Sequence, residues 1–261
     1  QFVISFIFIC GGIIMYKQVN FMMNKDLGFK GDQVIAITYY NYEKKDRYGF
    51  YTHVVDQLQR IKGVKEVGGS NSSVGTGSPQ SSPIHYNGNQ VQTKISYTEY
   101  KLLPLLGVSF LAGRNFDENI PSDSINSVII NETAVHALGI TNPINQRLKW
   151  NDAFYNIVGV IQDFNITGFS RKIEPTFYIR GGENNYVRNN INTIYLQLDS
   201  TDNQQTLARL AAFWTAQVDP HYPFEYEFVD KQFERTYAHY VTQRDLFGLL
   251  NITVIAIALF G

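Results

Sequence analysis

The chain has 261 residues, 44% of them hydrophobic and 17% charged, and a formal net charge of -1. That balance belongs to a folded chain, not a disordered one, and leaves no electrostatic footprint for nucleic acid. The single cysteine, Cys10, sits in an apolar stretch, so the polar bulk of the chain has no disulfide, no cysteine-ligated zinc and no cysteine nucleophile.

In chain order, the first segment is FVISFIFICGGIIMY, residues 2–16, with no charge. A second uncharged run, residues 246–261, closes the chain. Each offers roughly 15 apolar residues where a full span needs about 20. Both therefore read as parts of membrane helices cut by the chain ends, with one large soluble loop between them. A signal-peptide core is the competing reading of the first run. It lacks a basic start and a small-residue cleavage site, and it continues through Lys17 to Lys25 without Gly or Pro. A buried core helix is the competing reading of the second, but no cap or polar exit follows Phe260.

The soluble part opens with a strand, Gln33 to Tyr39, then a helix from Tyr48 to Ile61. Phe50, Val54, Leu58 and Ile61 share one face of that helix, and Gly63 ends it. A strand follows from Val64 to Gly68. A second unit of the same design lies near the other end: a strand Asn192 to Asp199, a helix Asn203 to Val218 with Leu207, Leu210, Trp214 and Val218 on one face, and a strand Phe224 to Val229. Asp219-Pro220 and Pro223 separate the last two. Two such units predict an α+β, ferredoxin-like split-βαβ subdomain, with Ile35 and Tyr195 in one sheet. Everything between them reads as an insertion.

Within the insertion, Gly68 to Pro83 reads as a Gly/Ser/Pro loop. It has no Lys between Glu66 and Lys94, so it is not a phosphate-binding P-loop. Strands are expected at 91–97, 108–111, 127–131 and 155–162, and helices at 98–106 and 132–138, the latter closed by Gly139. The five histidines, His53, His85, His136, His221 and His239, lack metal-site spacing. Asp117, Glu118 and Asp123 read as a solvated turn after Arg114. Glu225 and Glu227 share a strand face that a solvent-facing edge explains. No nucleophile elbow occurs. No catalytic, cofactor-binding or metal residue is assigned.

One series of residues is specific. It runs Gly107-Val-x-Phe-Leu-Ala-Gly-Arg114-x-Phe116, Ser127-Val-Ile-Ile-Asn-Glu132, Leu138-Gly139, Asn142-Pro-Ile144, then Ile157-Val-Gly-Val-Ile161-x-Asp163-Phe164. The series resembles the periplasmic core domain of MacB/FtsX-like ABC transporter permeases. The flanks, from Gln1-Phe2 to Phe29 and from Phe233 to Gly261, resemble the helices that bracket such a domain, most closely in the second half of a duplicated permease. The sequence departs from the family at Asn145-Gln146, where a Gly usually follows Pro-Ile.

The resemblance implies a porter-like subdomain (27–68 and 191–229) and an inserted sabre-like subdomain (69–190). A truncated transmembrane helix and stalk (1–26) would precede them, and a stalk leading into a second such helix (230–261) would follow. It implies a bacterial inner-membrane protein with its soluble domain in the periplasm, itself non-catalytic and without a cofactor. Implied partners are a cytoplasmic ABC ATPase, a second permease half or subunit, and a periplasmic adaptor or client. The implied function is coupling of ATPase motion to export or extraction of a client. FtsX-type regulation of a partner without transport is the alternative, and a membrane-tethered enzyme the third class. Two structural expectations complete the reading. Arg114 and Asp163 should form an ion pair. Phe233, Tyr237, Tyr240 and Phe247, interrupted by Arg244, should form a stalk seam faced by Val19 and Met23.

Overall fold

The computed structural model describes residues 2–24, 28, 30–31, 33–38, 46–71, 73, 80–164, 172–180, 190–199, 202–221 and 223–260. It divides into two compact units, Leu27–Asp230 and a second made of Gln1–Asp26 with Lys231–Gly261.

The larger unit holds two sheets. The first contains β1 (Val34–Thr38), β2 (Val64–Ser70), β10 (Thr193–Leu198) and β11 (Glu227–Phe228), in the order β11-β1-β10-β2. All three pairings are antiparallel, so β1 and β2 run parallel with β10 between them. This is the split-βαβ arrangement the two sequence units predicted. Ala36 lies opposite Tyr195, which puts Ile35 and Tyr195 in one sheet.

Two helices complete it. In α2 (Arg47–Gln59), Asp46 caps the N-terminus by accepting from the Gly49 N–H at 2.8 Å. Val54 and Leu58 are buried as the periodicity requires, and Tyr51 joins them. In α6 (Asn203–Phe213), Asp202 caps in the same way, and Leu210 and Thr206 are buried. The expected run to Val218 is broken by a π-turn, Trp214–Val218, closed by the Asp219 N–H on the Trp214 carbonyl. Widening the helix there leaves Trp214 buried, 5.8 Å from Phe224. The last strand is also shorter than expected. Only Glu227 and Phe228 reach β1 before the next helix begins at Val229. The preceding aromatic residues stack on each other instead, Phe224 on Tyr226 at 5.3 Å.

β2, in contrast, runs two residues beyond Gly68, and Gly69 and Ser70 pair with Ile194 and Thr193. The glycines allow close packing. A Cβ on Gly68 would lie 2.9 Å from the Leu102 backbone, and one on Gly69 would strike the Tyr51 hydroxyl. Asn192 donates to the Ser70 carbonyl at 3.1 Å, so the two ends of the insertion meet at the edge of the host sheet.

The second sheet holds β3 (Gln80–Tyr86), β4 (Asn89–Tyr97), β5 (Phe110–Gly113), β6 (Ser127–Asn131), β7 (Arg147–Trp150), β8 (Ala153–Ile161) and β9 (Thr176–Ile179). Its order is β5-β8-β6-β9-β4-β3-β7, and β7 also pairs with β8. Six strands therefore close into a ring, with β5 attached to β8 beyond the end of β7. Pairings β4–β9 and β6–β8 are parallel. Ile84, Ile95, Ile130, Leu148, Ile157 and Phe177 fill the interior with α5 (Glu132–Leu138). The seam is fixed by Trp150, whose indole N–H donates to Ser82 Oγ at 2.8 Å and whose ring meets Tyr155 and Phe177. Strands β3, β7 and β9 and the short helix α4 (Pro121–Ile125) were not expected from the sequence. The supposed loop 68–83 is strand at both ends, and 72 and 74–79 lie outside the described residues. The helix expected over 98–106 shrinks to α3 (Leu102–Leu105).

The smaller unit pairs α1 (Phe2–Asn24) with most of α7 (Val229–Phe260). Among the described residues, one helix is long and apolar enough to cross a membrane, over Phe6–Met23. The run from 246 forms the end of α7. Exposed Phe6, Ile14, Leu249 and Ile252 present apolar side chains outward, as lipid-facing helices do. The expected seam is only partly present. Val19 and Tyr237 are buried, but Met23 and Phe247 are exposed. The Phe233 side chain lies outside what is described. Arg244 does not interrupt the pairing, since its guanidinium lies 5.8 Å from the Tyr16 ring centre. A Cβ on Gly12 would collide with the Asn251 side chain, so the Asn251 amide packs against the bare Gly12 backbone.

Candidate functional site

The insertion rejoins the host sheet just after β4. Ser70 bridges to Thr98, the Glu99 N–H donates to the Gly69 carbonyl at 2.9 Å, and Ser70 Oγ donates to the Tyr97 carbonyl at 2.9 Å. A cleft of about 320 Å³ lies beside this junction. Helix α2 supplies one wall through Tyr48, Tyr51, Thr52, Val55, Asp56 and Gln59. The insertion supplies the other through Glu99, Tyr100, Lys101, Glu118 and Arg180.

The charges in the cleft are ordered by each other. Arg180 Nε lies 3.7 Å from Glu99 Oε2, with the two side chains 14% and 10% exposed. A second guanidinium nitrogen donates to Ser124 Oγ at 3.1 Å, and the group sits 5.0 Å from the Tyr100 ring centre. The Tyr48 hydroxyl donates to the other Glu99 oxygen at 3.4 Å. Lys101 Nζ is 2.7 Å from Glu66 Oε1. Burial first, and then the neighbouring Glu118 carboxylate, push the Tyr100 hydroxyl up to about 12. It stays protonated and can only bind or orient.

The motif residues lie elsewhere, and their partners are structural. Arg114 does not meet Asp163. It pairs with Asp123, its second guanidinium nitrogen 3.0 Å from Oδ1. Asp123 is 1% exposed, not part of a solvated turn. It also accepts from the Asp117 N–H at 2.8 Å and the Ser127 hydroxyl at 2.8 Å. Burial alone would raise its pKa, but the Arg114 guanidinium, the Asp117 N–H and the Ser127 hydroxyl outweigh that and hold it below the usual range. Asp163 instead holds the start of α5, accepting from the Thr133 N–H at 3.0 Å and from its hydroxyl. Asn131 caps the same helix through the Ala134 N–H and ties β9 through the Thr176 N–H and Glu174 carbonyl. Phe164 stacks on Tyr178 at 6.2 Å. Gly113 has φ +72, and a Cβ there would strike the Val158 carbonyl. Asn145, the departure from the family pattern, has φ +68. Asn tolerates that conformation better than most residues, so the turn survives the loss of glycine.

All five histidines are exposed. Among the described residues, no group of His, Cys, Asp and Glu is placed to hold a metal. Glu225 is exposed, and Glu227 lies on the outermost strand β11, as expected of a sheet edge. Sequence reasoning missed the cleft, because its residues, Val67 included, come from five separated segments. It also missed the burial of Asp123, which nothing in Pro121-Ser-Asp-Ser124 announces.

Residues 3–213 match the MacB-like periplasmic core domain family. The chain belongs to that family. Its fold is similar to the periplasmic region of MacB from Actinobacillus actinomycetemcomitans, with a TM-score of 0.57 at 12% identity, covering 83% of this chain and 98% of that one. It is also similar to the extracellular domain of the noncanonic ABC-type transporter YknZ from Gram-positive bacteria. There the TM-score is 0.52 at 14% identity, covering 74% and 97%. No curated protein matches the chain in sequence. The chain is thus a periplasmic domain of a MacB/FtsX-like ABC permease, which implies an inner-membrane protein and a cytoplasmic ATPase partner.

Proposed function

We propose that this MacB-like domain relays motion generated by a cytoplasmic ATPase to a client or partner outside the membrane, and that it performs no catalysis itself. The supporting observation is helix α7. It begins at Val229, immediately after β11, and continues for 32 residues without a break. A continuous helix transmits displacement because its backbone bonds are internal, whereas a linker absorbs it. The porter-like subdomain (27–68 and 191–229), the sabre-like insertion (69–190) and the flanking helical segments (1–26 and 230–261) are the proposed working parts. A second permease half or subunit completes the assembly.

The test uses the full-length permease with its ATPase in lipid nanodiscs. A spin label at Ile125→Cys, an exposed position, reports distances between two copies. Trapping the ATPase with ATP and vanadate should shift that distance in the parent protein. Inserting Gly-Gly-Ser after Tyr237 should abolish the shift while ATP hydrolysis continues. A distance that never responds to ATP, or one that responds equally in the insertion variant, would overturn the relay.

A further inference from the structure

We propose that the cleft between α2 and the insertion binds an organic cation, an ammonium or guanidinium group, independently of the relay. Its volume of about 320 Å³ lies at the lower end of ordinary ligand pockets, and it sits where two subdomains meet. The lining is rich in groups that receive a donor. Asp56, Glu99 and Glu118 supply three carboxylates against two cations, Lys101 and Arg180. Both cations have close partners: Lys101 is held by Glu66, and Arg180 by Glu99 and Ser124. Tyr48 and Tyr51 stack at 6.0 Å on the α2 wall, while the Tyr100 ring on the other is already faced by Arg180 at 5.0 Å. Aromatic faces attract a cation through the ring quadrupole, and carboxylates add charge complementarity. Asp56 and Glu99 also have partners, Arg60 and Arg180, so the attraction for a ligand cation rests on Glu118 and the Tyr48 ring, both in the lining.

The cation could be a small amine or a basic side chain on a peptide, and the assay separates them. The whole 261-residue chain in nanodiscs is titrated calorimetrically with phenethylammonium, with acetyl-Gly-Arg-Gly-amide, and with phosphate. At least one cation should bind with a dissociation constant on the order of 1 mM. The tighter of the two identifies the source. Glu118→Gln should weaken binding about three- to fivefold. Tyr48→Ala should weaken it about two- to fivefold, while Tyr48→Phe, which keeps the ring, should match the parent. Circular dichroism melts check that each variant is folded. Binding unaffected by both Glu118→Gln and Tyr48→Ala would overturn the proposal. So would phosphate binding more tightly than either cation, or no binding of either cation up to about 20 mM.

Discussion

The two sheets of the larger unit are held together by different means. The four-stranded sheet is an apolar layer, with Ile35, Ile37, Leu196 and Leu198 packed under Val54, Leu58 and Leu210. Its polar contacts include helix caps and exposed pairs such as Arg60–Asp56, whose side chains are 71% and 54% exposed. The ring of strands also has an apolar interior, but its connections hang on buried and half-buried polar side chains that each accept more than one hydrogen bond. Asp123 gathers Arg114, Asp117 and Ser127, Asn131 joins α5 to β9, and Asp163 anchors α5 from the strand β8 side. The difference follows from topology. A split-βαβ sheet places helices over strands by local connections, so apolar area suffices. A closed ring with parallel pairs and short irregular links leaves backbone groups that only side chains can satisfy.

The largest effect should come from the apolar layer. Leu58→Ala, at a position 0% exposed, should cost about 2–5 kcal/mol in chemical denaturation. Hydrogen exchange should rise first in β1, β10 and α2. If exchange rises equally in the ring strands, the two regions unfold as one and the comparison fails.

Asp123→Asn should cost about 2–3 kcal/mol, since Arg114 is 42% exposed and can turn to solvent while Ser127 and the Asp117 N–H lose their anionic acceptor. Replacing the pair together by Arg114→Met and Asp123→Leu should recover only part of that loss, because those two donors remain unanswered. Full recovery would show that the ion pair, not the multiple acceptance, is what matters. The sign of the pH dependence is fixed as well. The Asp123 pKa is depressed in the folded state. Its contribution is therefore complete above the unfolded carboxylate value of about 3.9 and is lost as pH falls below that, through its lower folded value. Acid titration of Asp123→Asn should be flatter than the parent below about pH 4.

The smallest effect sharpens the contrast from the other side. Arg60→Ala removes the exposed pair on α2 and should change stability by less than about 1 kcal/mol. A larger loss would mean that polar pairs matter in the apolar layer too.

The same contrast explains how much could be read from the sequence. The four-stranded sheet was legible because Val54, Leu58 and Leu210 repeat at helical spacing and Ile35 and Ile37 alternate. Signals of period 3.6 and 2 survive without tertiary context. In the ring, β6 was legible as a continuous apolar run and α5 by its helical spacing, down to the Gly139 cap with φ +68. Strands β7 and β9 are four residues each, too short for a period to emerge. β3 carries Ser81, Ser82 and Pro83, which read as loop but pair with Lys94, Thr93 and Gln92. The Arg114–Asp163 expectation failed because the order of motifs along a chain does not state which strand ends meet. The cleft was invisible for a similar reason. Tyr48, Tyr100, Glu118 and Arg180 carry no shared spacing, and only the folded arrangement brings them together.

Ser70 and Thr193 are paired neighbours on antiparallel strands. Viewed from the host sheet, β2 and β10 form a hairpin, and the whole ring of strands is its turn. Since the two ends are already in register, chain-closure entropy changes only slowly with the size of what is inserted between them. A short turn or an unrelated module in place of residues 72–191 would therefore leave β1, β2, β10 and β11 in the same register.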